Sequence, residues 1–217
     1  VAIWGYYSIA AVVPIWPAPG LSNVIAIAGG YGYSLALRGD GTVYAWGNTT
    51  ISNFANGLSG IVGIAAGDDH AVAVRSNGAV VAWGSNTYGQ TNVPAGMSNV
   101  VAVTAGSQHC AALRADGTVV AWGGNGREGQ TSIPPGLIDV SEIDANGVQT
   151  LALRKDGTVV GWGGSSWPTP VPPYLHGVGG IAAGYSYSTL TLVVLTNDSL
   201  AAWHGMGRQI GCGLEPL

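Results

Sequence analysis

Asp116-Gly117-Thr118-Val119-Val120-Ala121-Trp122-Gly123 decides how the rest of this chain is read. Asp-Gly is a two-residue hairpin signal, because both residues tolerate the positive φ of a type I′ turn. The residues after it make an apolar strand that ends in Trp-Gly. Near-copies stand at Asp40 to Gly47, Asn77 to Gly84 and Asp156 to Gly163, and a worn copy runs from Asn197 to His204. The chain begins inside another, Val1-Ala2-Ile3-Trp4-Gly5. Trp thus recurs at 4, 46, 83, 122, 162 and 203, at intervals of 42, 37, 39, 40 and 41 residues. A period near 40 marks a repeat protein.

Working outward, each repeat has one grammar. In the third, Val100 to Ala105 reads as a strand, Gly106-Ser107-Gln108 as a turn, His109 to Arg114 as a second strand and Thr118 to Trp122 as a third. A polar loop follows to Gln130, and Thr131-Ser132-Ile133-Pro134 reads as a short outer strand, where an edge position tolerates proline. Helical periodicity is absent, and Gly and Pro interrupt the chain too often for helices of useful length. Val119 to Trp122 and Val43 to Trp46 leave no polar face, whereas a solvated antiparallel sheet alternates apolar and polar residues. Such sheets must be stacked on other sheets. Antiparallel units of about 40 residues, stacked and arranged radially, make a β-propeller. The expected fold is therefore all-β, one propeller domain over residues 1–217. Its repeats run approximately 1–42, 43–79, 80–118, 119–158 and 159–199, with an extra strand and tail over 200–217. The second strand is entered five times and the Trp strand occurs six times, so Val1–Gly5 and Leu200–His204 compete for one role. Five or six blades, or part of a larger ring, fit that count.

Composition excludes some functions. Charged residues make up 8% of the chain and Lys155 is the only lysine, against about 25% charged in ordinary domains. Either uncharged polar residues and glycine cover the surface, or much of it is buried in an assembly or under glycan. The net charge of −4, with seven basic residues, disfavours nucleic acid, which is held by clustered Lys and Arg. Arg38, Arg75, Arg114 and Arg154 recur at one slot before the hairpin, which reads as structural. Two cysteines are too few for a disulfide scaffold. No apolar run reaches 18 residues, so no membrane-spanning helix is expected. The first residue is not Met, which fits a removed leader or a piece of a longer chain.

Three motifs carry a resemblance: Ala105-Gly106-Ser107-Gln108-His109, Leu113-Arg114-Ala115-Asp116-Gly117 and Val119-Val120-Ala121-Trp122-Gly123. They resemble the regulator of chromosome condensation repeat family. The short period and the loops Gly89 to Pro94 and Gly129 to Pro134 are similar to its bacterial short-repeat branch, which includes beta-lactamase inhibitory protein type II. The resemblance implies a propeller. In the inhibitory relative the variable pair after the strand-entry glycine faces the partner. Carried over, that surface is Tyr31, Gly32, Asp68, Asp69, Ser107, Gln108, Gly147, Val148, Tyr185 and Ser186. The resemblance does not identify the partner, and the bacterial-type repeats disfavour guanine-nucleotide exchange. The family pattern is broken after Trp46, where Gly-Gln-Thr is missing, and after Trp4 and Trp162, where Pro and aromatics replace it.

Other residues invite chemistry. Asp68-Asp69-His70 suggests a metal, but His70 shares its slot with Tyr33, His109, Gln149 and Tyr187, as a hydrogen-bonding core position would. Glu142 and Asp144 lie at i and i+2, on one strand face, in slots that are otherwise small. They read as the lining of a wet central channel; the alternative is a cation site or an acid–base pair. Cys110 is mid-strand and Cys212 is in a Gly-rich tail; they are a candidate disulfide, against an unpaired buried Cys110. Asn48 and Asn197 head glycosylation sequons.

The residues together predict a secreted or cell-surface propeller, not an enzyme, with no cofactor, that binds a protein or other macromolecule through a loop face. A second expectation is a subunit of an extracellular filament or surface layer, assembled by strand or edge sharing. A third is a hydrolase or lyase using Glu142 and Asp144 in an axial pocket.

Overall fold

A computed structural model of the chain describes residues 21–164, 171–172, 175–184, 191–204 and 208–210. The described strands form five antiparallel sheets. The first holds β1 (Val24–Gly30), β2 (Tyr33–Arg38) and β3 (Val43–Gly47). The short helix α1 (Thr49–Ala55) comes next. The second sheet holds β4 (Ile61–Ala66), β5 (His70–Arg75) and β6 (Val80–Gly84). The third holds β7 (Val100–Ala105), β8 (His109–Arg114) and β9 (Val119–Gly123). The fourth holds β10 (Val140–Asn146), β11 (Gln149–Arg154) and β12 (Val159–Trp162). The fifth holds β13 (Val178–Ala183), β14 (Thr191–Leu195), β15 (Leu200–His204) and β16 (Arg208–Ile210). Strand order follows chain order in every sheet. The all-β propeller blades expected from the repeat are therefore present. Leu200–His204 is the third strand of the fifth sheet, so the surplus Trp strand is Val1–Gly5, which lies outside the described residues.

The Asp-Gly hairpins form, but not as type I′ turns. In the third sheet Gly117 N–H donates to the Arg114 carbonyl at 2.9 Å, and Arg114 N–H to the Thr118 carbonyl at 2.9 Å. Only Gly117, at φ +80°, is left-handed, while Asp116 is not among the positive-φ residues. This is a three-residue loop closed by a left-handed glycine. Asp116 does different work: its Oδ1 accepts from the Thr118 N–H at 2.9 Å and hydroxyl at 2.6 Å. Asp40 and Asp156 repeat the arrangement, and Asn197 does so in the fifth hairpin. These hydrogen bonds hold the exposed Asp40, Asp116 and Asp156 carboxyls below the usual range.

The tips of the first four hairpins also fasten the link to the next blade. Val100 N–H donates to the Gly78 carbonyl, and Val140 N–H to that of Gly117. Before each first strand stands a left-handed residue: Asn23, Gly60, Asn99, Asp139 or Gly177. Its carbonyl accepts from the backbone just after the second strand, as in Ala115 N–H to Asn99 at 2.9 Å. The recurring arginines sit here. Arg75 Nη1 donates to the Ser59 carbonyl at 2.8 Å, and Arg38 Nε to that of Ser22 at 3.3 Å. Arg38 and Arg75 thus serve the fold at this slot.

Consecutive sheets stack. β1 packs on β4, β4 on β7, β7 on β10 and β10 on β13, so the first strands line the axis. β5, β8 and β11 are buried along almost their whole length. Leu35, Leu37 and Val43 of the first sheet meet Ala71, Ala73 and Trp83 of the second, and equivalent clusters join each later pair. A buried Leu or Val contributes about 1.5–3 kcal/mol, so these interfaces carry the fold.

The Trp residues bind across the interfaces. Trp122 Nε1 donates to the Gln90 carbonyl at 3.0 Å, and Trp162 Nε1 to the Gln130 carbonyl at 3.0 Å. Each acceptor lies in the loop that follows the preceding blade's Trp strand. The expected outer strand at 131–134 does not form. Ser132 N–H and Leu137 N–H instead close turns onto the Gly129 and Pro134 carbonyls. After Trp46, where Gly-Gln-Thr is missing, α1 takes over. Its Ile51 carbonyl accepts from Trp83 Nε1 at 3.1 Å, and Phe54 stacks on the Trp83 ring. The absence of helical periodicity did not foresee this helix, because seven residues leave too short a window for a periodic signal. Asn48 caps it, its Oδ1 accepting the Thr50 N–H at 3.0 Å, which gives the first residue of that sequon a structural role.

Candidate functional site

In the first four blades the turns that join the first and second strands gather at one end of the array, opposite the hairpins. Two blade-to-blade hydrogen bonds tie them together: Tyr31 N–H to the Asp68 carbonyl at 2.9 Å, and Ser107 N–H to the Gly147 carbonyl at 2.7 Å. The strand-entry glycines explain themselves here. A Cβ on Gly106 would lie 2.7 Å from the Gly147 carbonyl and fall on the His109 ring. A Cβ on Gly67 would fall on the His70 ring and the Gly106 carbonyl. The rings at this slot lie across their own glycine and press on the next blade.

That slot is a buried core position, and of its described members Tyr33 and His109 hydrogen-bond across the blade boundary, whereas the polar side-chain atoms of His70 and Gln149 are buried without a hydrogen-bond partner. The Tyr33 hydroxyl donates to the Gly67 carbonyl at 2.9 Å and is also bonded to the His70 carbonyl, both in the second blade. His109 Nε2 pairs with the Thr150 hydroxyl of the fourth blade at 2.8 Å. Burial lowers the pKa of His70 and of His109 to about 4, with His70 adding to the effect on His109, so both rings are neutral near pH 7. Burial also pushes the Tyr33 hydroxyl up. Tyr187, placed at this slot by the repeat, lies outside the described residues. Tyr185 and Ser186 lie outside the described residues.

Of the remaining candidate partner-binding residues, Tyr31 and Asp69 are exposed, and Asp68, Ser107, Gln108 and Val148 are half-buried. Tyr31 and Asp68 line a pocket of about 310 Å³ at the mouth of the axis, with Asn146 and a wall of Gly and Ala from four blades. Burial raises the Asp68 carboxyl, against a hydrogen bond from Ser107, and Asp69 adds to the rise. Gly32 and Gly147 are left-handed turn residues. Sequence reading missed Asn146, whose Nδ2 reaches the Ala183 carbonyl at 3.3 Å; it stands where other repeats have the strand-entry glycine, and that departure was its signal.

Deeper along the axis lies a second cavity of about 230 Å³, lined by small and branched residues and Asp144. Asp144 is therefore on the channel, as expected, but its oxygens are engaged. Oδ1 accepts from the Thr104 hydroxyl at 3.2 Å and the Ala145 N–H at 2.9 Å, and Oδ2 from the Ala183 N–H at 2.7 Å. The Ile181 backbone N–H, two residues before Ala183 on β13, opposes the rise of the Glu142 carboxyl. Thr104 matches Asp144 one blade earlier, its hydroxyl oxygen accepting the Ala145 N–H at 2.8 Å. Burial raises both carboxyls, and the charge of Asp144 raises Glu142 further. Among the described residues no three His, Cys, Asp or Glu side chains gather as a metal-holding group. Cys110 is a buried free thiol directed at the Gln90 carbonyl, 3.5 Å away; burial raises its pKa. Cys212, its candidate partner, lies outside the described residues. Among those residues no helix is long and apolar enough to cross a membrane.

The regulator of chromosome condensation (RCC1) repeat matches residues 24–50, 61–90 and 100–130. No curated protein sequence matches the chain. Solved structures share the fold. The ectodomain of the Physcomitrella patens receptor kinase CR4 aligns with a TM-score of 0.69 and 21% identity, over 87% of this chain and 54% of that one. Prp20p from Saccharomyces cerevisiae, described with its binding to Gsp1p and histones, aligns at 0.69 and 22%, over 85% and 60%. Human WBSCR16 aligns at 0.65 and 20%, over 83% and 61%. This chain thus spans less than two thirds of each of these structures.

Proposed function

From a chain that carries repeats of the regulator of chromosome condensation (RCC1) family, we propose a non-enzymatic binding protein whose strand-entry turns receive a protein partner. One observation carries the reading: turns of differing sequence stand side by side on a scaffold fastened by inter-blade hydrogen bonds. Rigid scaffolds that present variable loops commonly bind through them. The binding of Prp20p to Gsp1p and histones supports a protein partner as a class. A secreted or surface location belongs to the proposal, supported by the single lysine and the sequons at Asn48 and Asn197. Against a hydrolase stands the engagement of Asp144 with backbone N–H groups.

The test is affinity capture with the wild-type chain and with a Tyr31→Ala, Asp69→Lys, Gln108→Lys variant. Loss of a captured protein from the variant, but not from Lys155→Ala at the hairpin end, supports the reading. Retention by all three, or substrate turnover abolished by Glu142→Gln, overturns it.

A second reading, as a subunit of a larger assembly, is favoured by the fifth sheet. Leu192, Val194 and Leu200 are exposed there, although their counterparts in the other sheets are covered. Size-exclusion chromatography over a range of concentrations tests it, and a constant monomer refutes it.

A further inference from the structure

Tyr33, His70, His109 and Gln149 open the second strands of the first four blades, and all four are buried. The outer two stay uncharged in acid, whereas the inner two are imidazoles that can take a proton. The inner pair is closely packed. The His70 ring and the Gly106 carbonyl of the third blade together fill the space that a Cβ on Gly67 would need. The His109 ring and the Gly147 carbonyl of the fourth blade do the same at Gly106.

Each ring directly follows a strand-entry turn, Asp68-Asp69 or Ser107-Gln108, so it packs under the backbone of the candidate partner face. That backbone is fastened by named amides. Gly67 N–H donates to the His70 carbonyl at 2.8 Å and Ser85 N–H to that of Asp69 at 2.8 Å. Gly106 N–H donates to the His109 carbonyl at 2.9 Å, Ser107 N–H to that of Gly147 at 2.7 Å and Gly124 N–H to that of Gln108 at 2.7 Å.

An imidazolium carries two N–H donors and a charge, and burying them without partners is costly. Neither His70 nitrogen makes a hydrogen bond, nor does His109 Nδ1, while His109 Nε2 pairs with the Thr150 hydroxyl. The backbone of His109 offsets only part of the effect of burial on His70. Neighbouring charges do not make up the difference. Asp68 and Asp69 stand on the turn before His70, Tyr33 reaches it from β2, and Cys110 follows His109 on β8. Glu142 and Asp144 are on β10, and neither is among the groups that shift His109. Arg38, Arg75, Arg114 and Arg154 end β2, β5, β8 and β11 at the hairpin side. β1, β4, β6, β7, β9, β12 and α1 carry no charged residue.

Resting on the binding reading, we propose that His70 and His109 form an acid-released latch beneath the partner face. Protonation of the two rings frees the turns at 67–69 and 106–108 and loosens the hold on a bound protein. In the closed state both rings titrate at about 4, below the ordinary 6.5, because of burial and, for His109, the charge of His70. An opened turn therefore binds the proton more tightly than a closed one, and opening gains as pH falls from about 6.5 toward 4. Between pH 7 and pH 5 the gain is about twentyfold for each ring.

Amide hydrogen exchange on the whole chain at the two pH values, corrected for the intrinsic pH dependence of exchange, tests the latch. The amides of Gly67, Ser85, Gly106, Ser107 and Gly124 should lose at least about tenfold more protection than those of Arg75, Gly78, Arg114 and Gly117, which close hairpins at the other end of the same blades. A His70→Tyr, His109→Gln variant copies the slot of the first and fourth blades and keeps every carboxylate, so the difference should vanish. His109→Gln alone, the milder change, should cancel it at Ser107 and Gly124 and leave it at Gly67 and Ser85. Equal loss at both ends, no loss, or a difference that survives both variants overturns the latch. A protein captured at pH 7 should elute at pH 5 from wild type and stay on the double variant, and retention by wild type at pH 5 also overturns the proposal. Capture of nothing at pH 7 refutes the binding reading instead, and the exchange result then decides the latch by itself.

Discussion

The clearest energetic test compares two tryptophans that differ in one hydrogen bond. Trp122 and Trp46 hold the same slot, and both rings are buried. Changing either to Phe removes similar ring contact, a loss of about 1–2 kcal/mol for a partial deletion of this kind. At position 122 the change also removes the 3.0 Å bond to the Gln90 carbonyl. That leaves the carbonyl with the Cys110 thiol, a weak donor 3.5 Å away. The bond is worth about 1 kcal/mol, and orphaning its acceptor costs more. At position 46 the N–H has no acceptor among the described residues, so its removal there relieves about 1–3 kcal/mol. Trp46→Phe should therefore be near neutral, and Trp122→Phe less stable than it by about 2 kcal/mol or more. For a chain of this size that is a gap of about 4–8 °C in Tm. Urea and thermal unfolding, followed by far-ultraviolet circular dichroism at low protein concentration, measure it. Trp162→Phe should track Trp122→Phe, because its Nε1 meets the Gln130 carbonyl at the same 3.0 Å. Equal losses for Trp46→Phe and Trp122→Phe, within about 0.5 kcal/mol, would refute the role assigned to the cross-blade bond.

Other expectations follow from the same contacts. Asp144 has a raised folded pKa, so the folded state holds its proton more tightly than the unfolded chain, and stability falls as pH rises from roughly 4 through the folded value. Asp144→Thr, which copies the acceptor at Thr104, should remove that fall, and an unchanged slope in stability against pH contradicts the assignment. Asp40, Asp116 and Asp156 have lowered values and act oppositely: their contribution is present above the ordinary carboxylate pKa and disappears as pH falls through the folded values. Replacing all three by Asn should blunt acid unfolding in a pH titration of ellipticity. Gly106→Ala should cost about 1–3 kcal/mol or more, since its Cβ meets the His109 ring and the Gly147 carbonyl. Gly29→Ala, with nothing within 4 Å, should stay within about 0.5 kcal/mol, and the difference is read by denaturant midpoint. Tyr33→Phe should lose about 1–2 kcal/mol, because the Gly67 carbonyl loses the hydroxyl that it accepts from across the blade boundary.

The repeat was legible in the chain because local rules act within one blade. A period near 40, strands apolar on both faces and turn residues at set offsets specify stacked antiparallel sheets. Val100 to Ala105, His109 to Arg114 and the Trp strand can be drawn from the residues alone. The hairpin type could not, since Asp-Gly serves both a type I′ turn and a loop closed by one left-handed glycine. The choice falls to Asp116, which bonds to Thr118 and leaves the left-handed position to Gly117. The helix after Trp46 was hidden for another reason. What its slot requires is a carbonyl for Trp83, and the seven-residue helix Thr49–Ala55 supplies one as well as Gly-Gln-Thr does.

The candidate turns follow from the repeat slot, yet their gathering around one pocket does not, because each turn belongs to a different blade. Nor does the work of Glu142 and Asp144. In sequence they are two carboxylates on one strand face; in the fold they face the N–H groups of Ile181 and Ala183, on a strand about 40 residues away. Sequence by itself determined the blade, whose contacts are short in chain distance and set by alternation, turns and small residues. The tertiary structure alone decided which blade faces are covered and which are bare, because a sheet's second face is buried only by the neighbour that stacks on it. Leu192 and Leu151 occupy the same slot in the repeat; the fifth sheet stacked on the fourth buries Leu151, whereas Leu192 is 40% exposed.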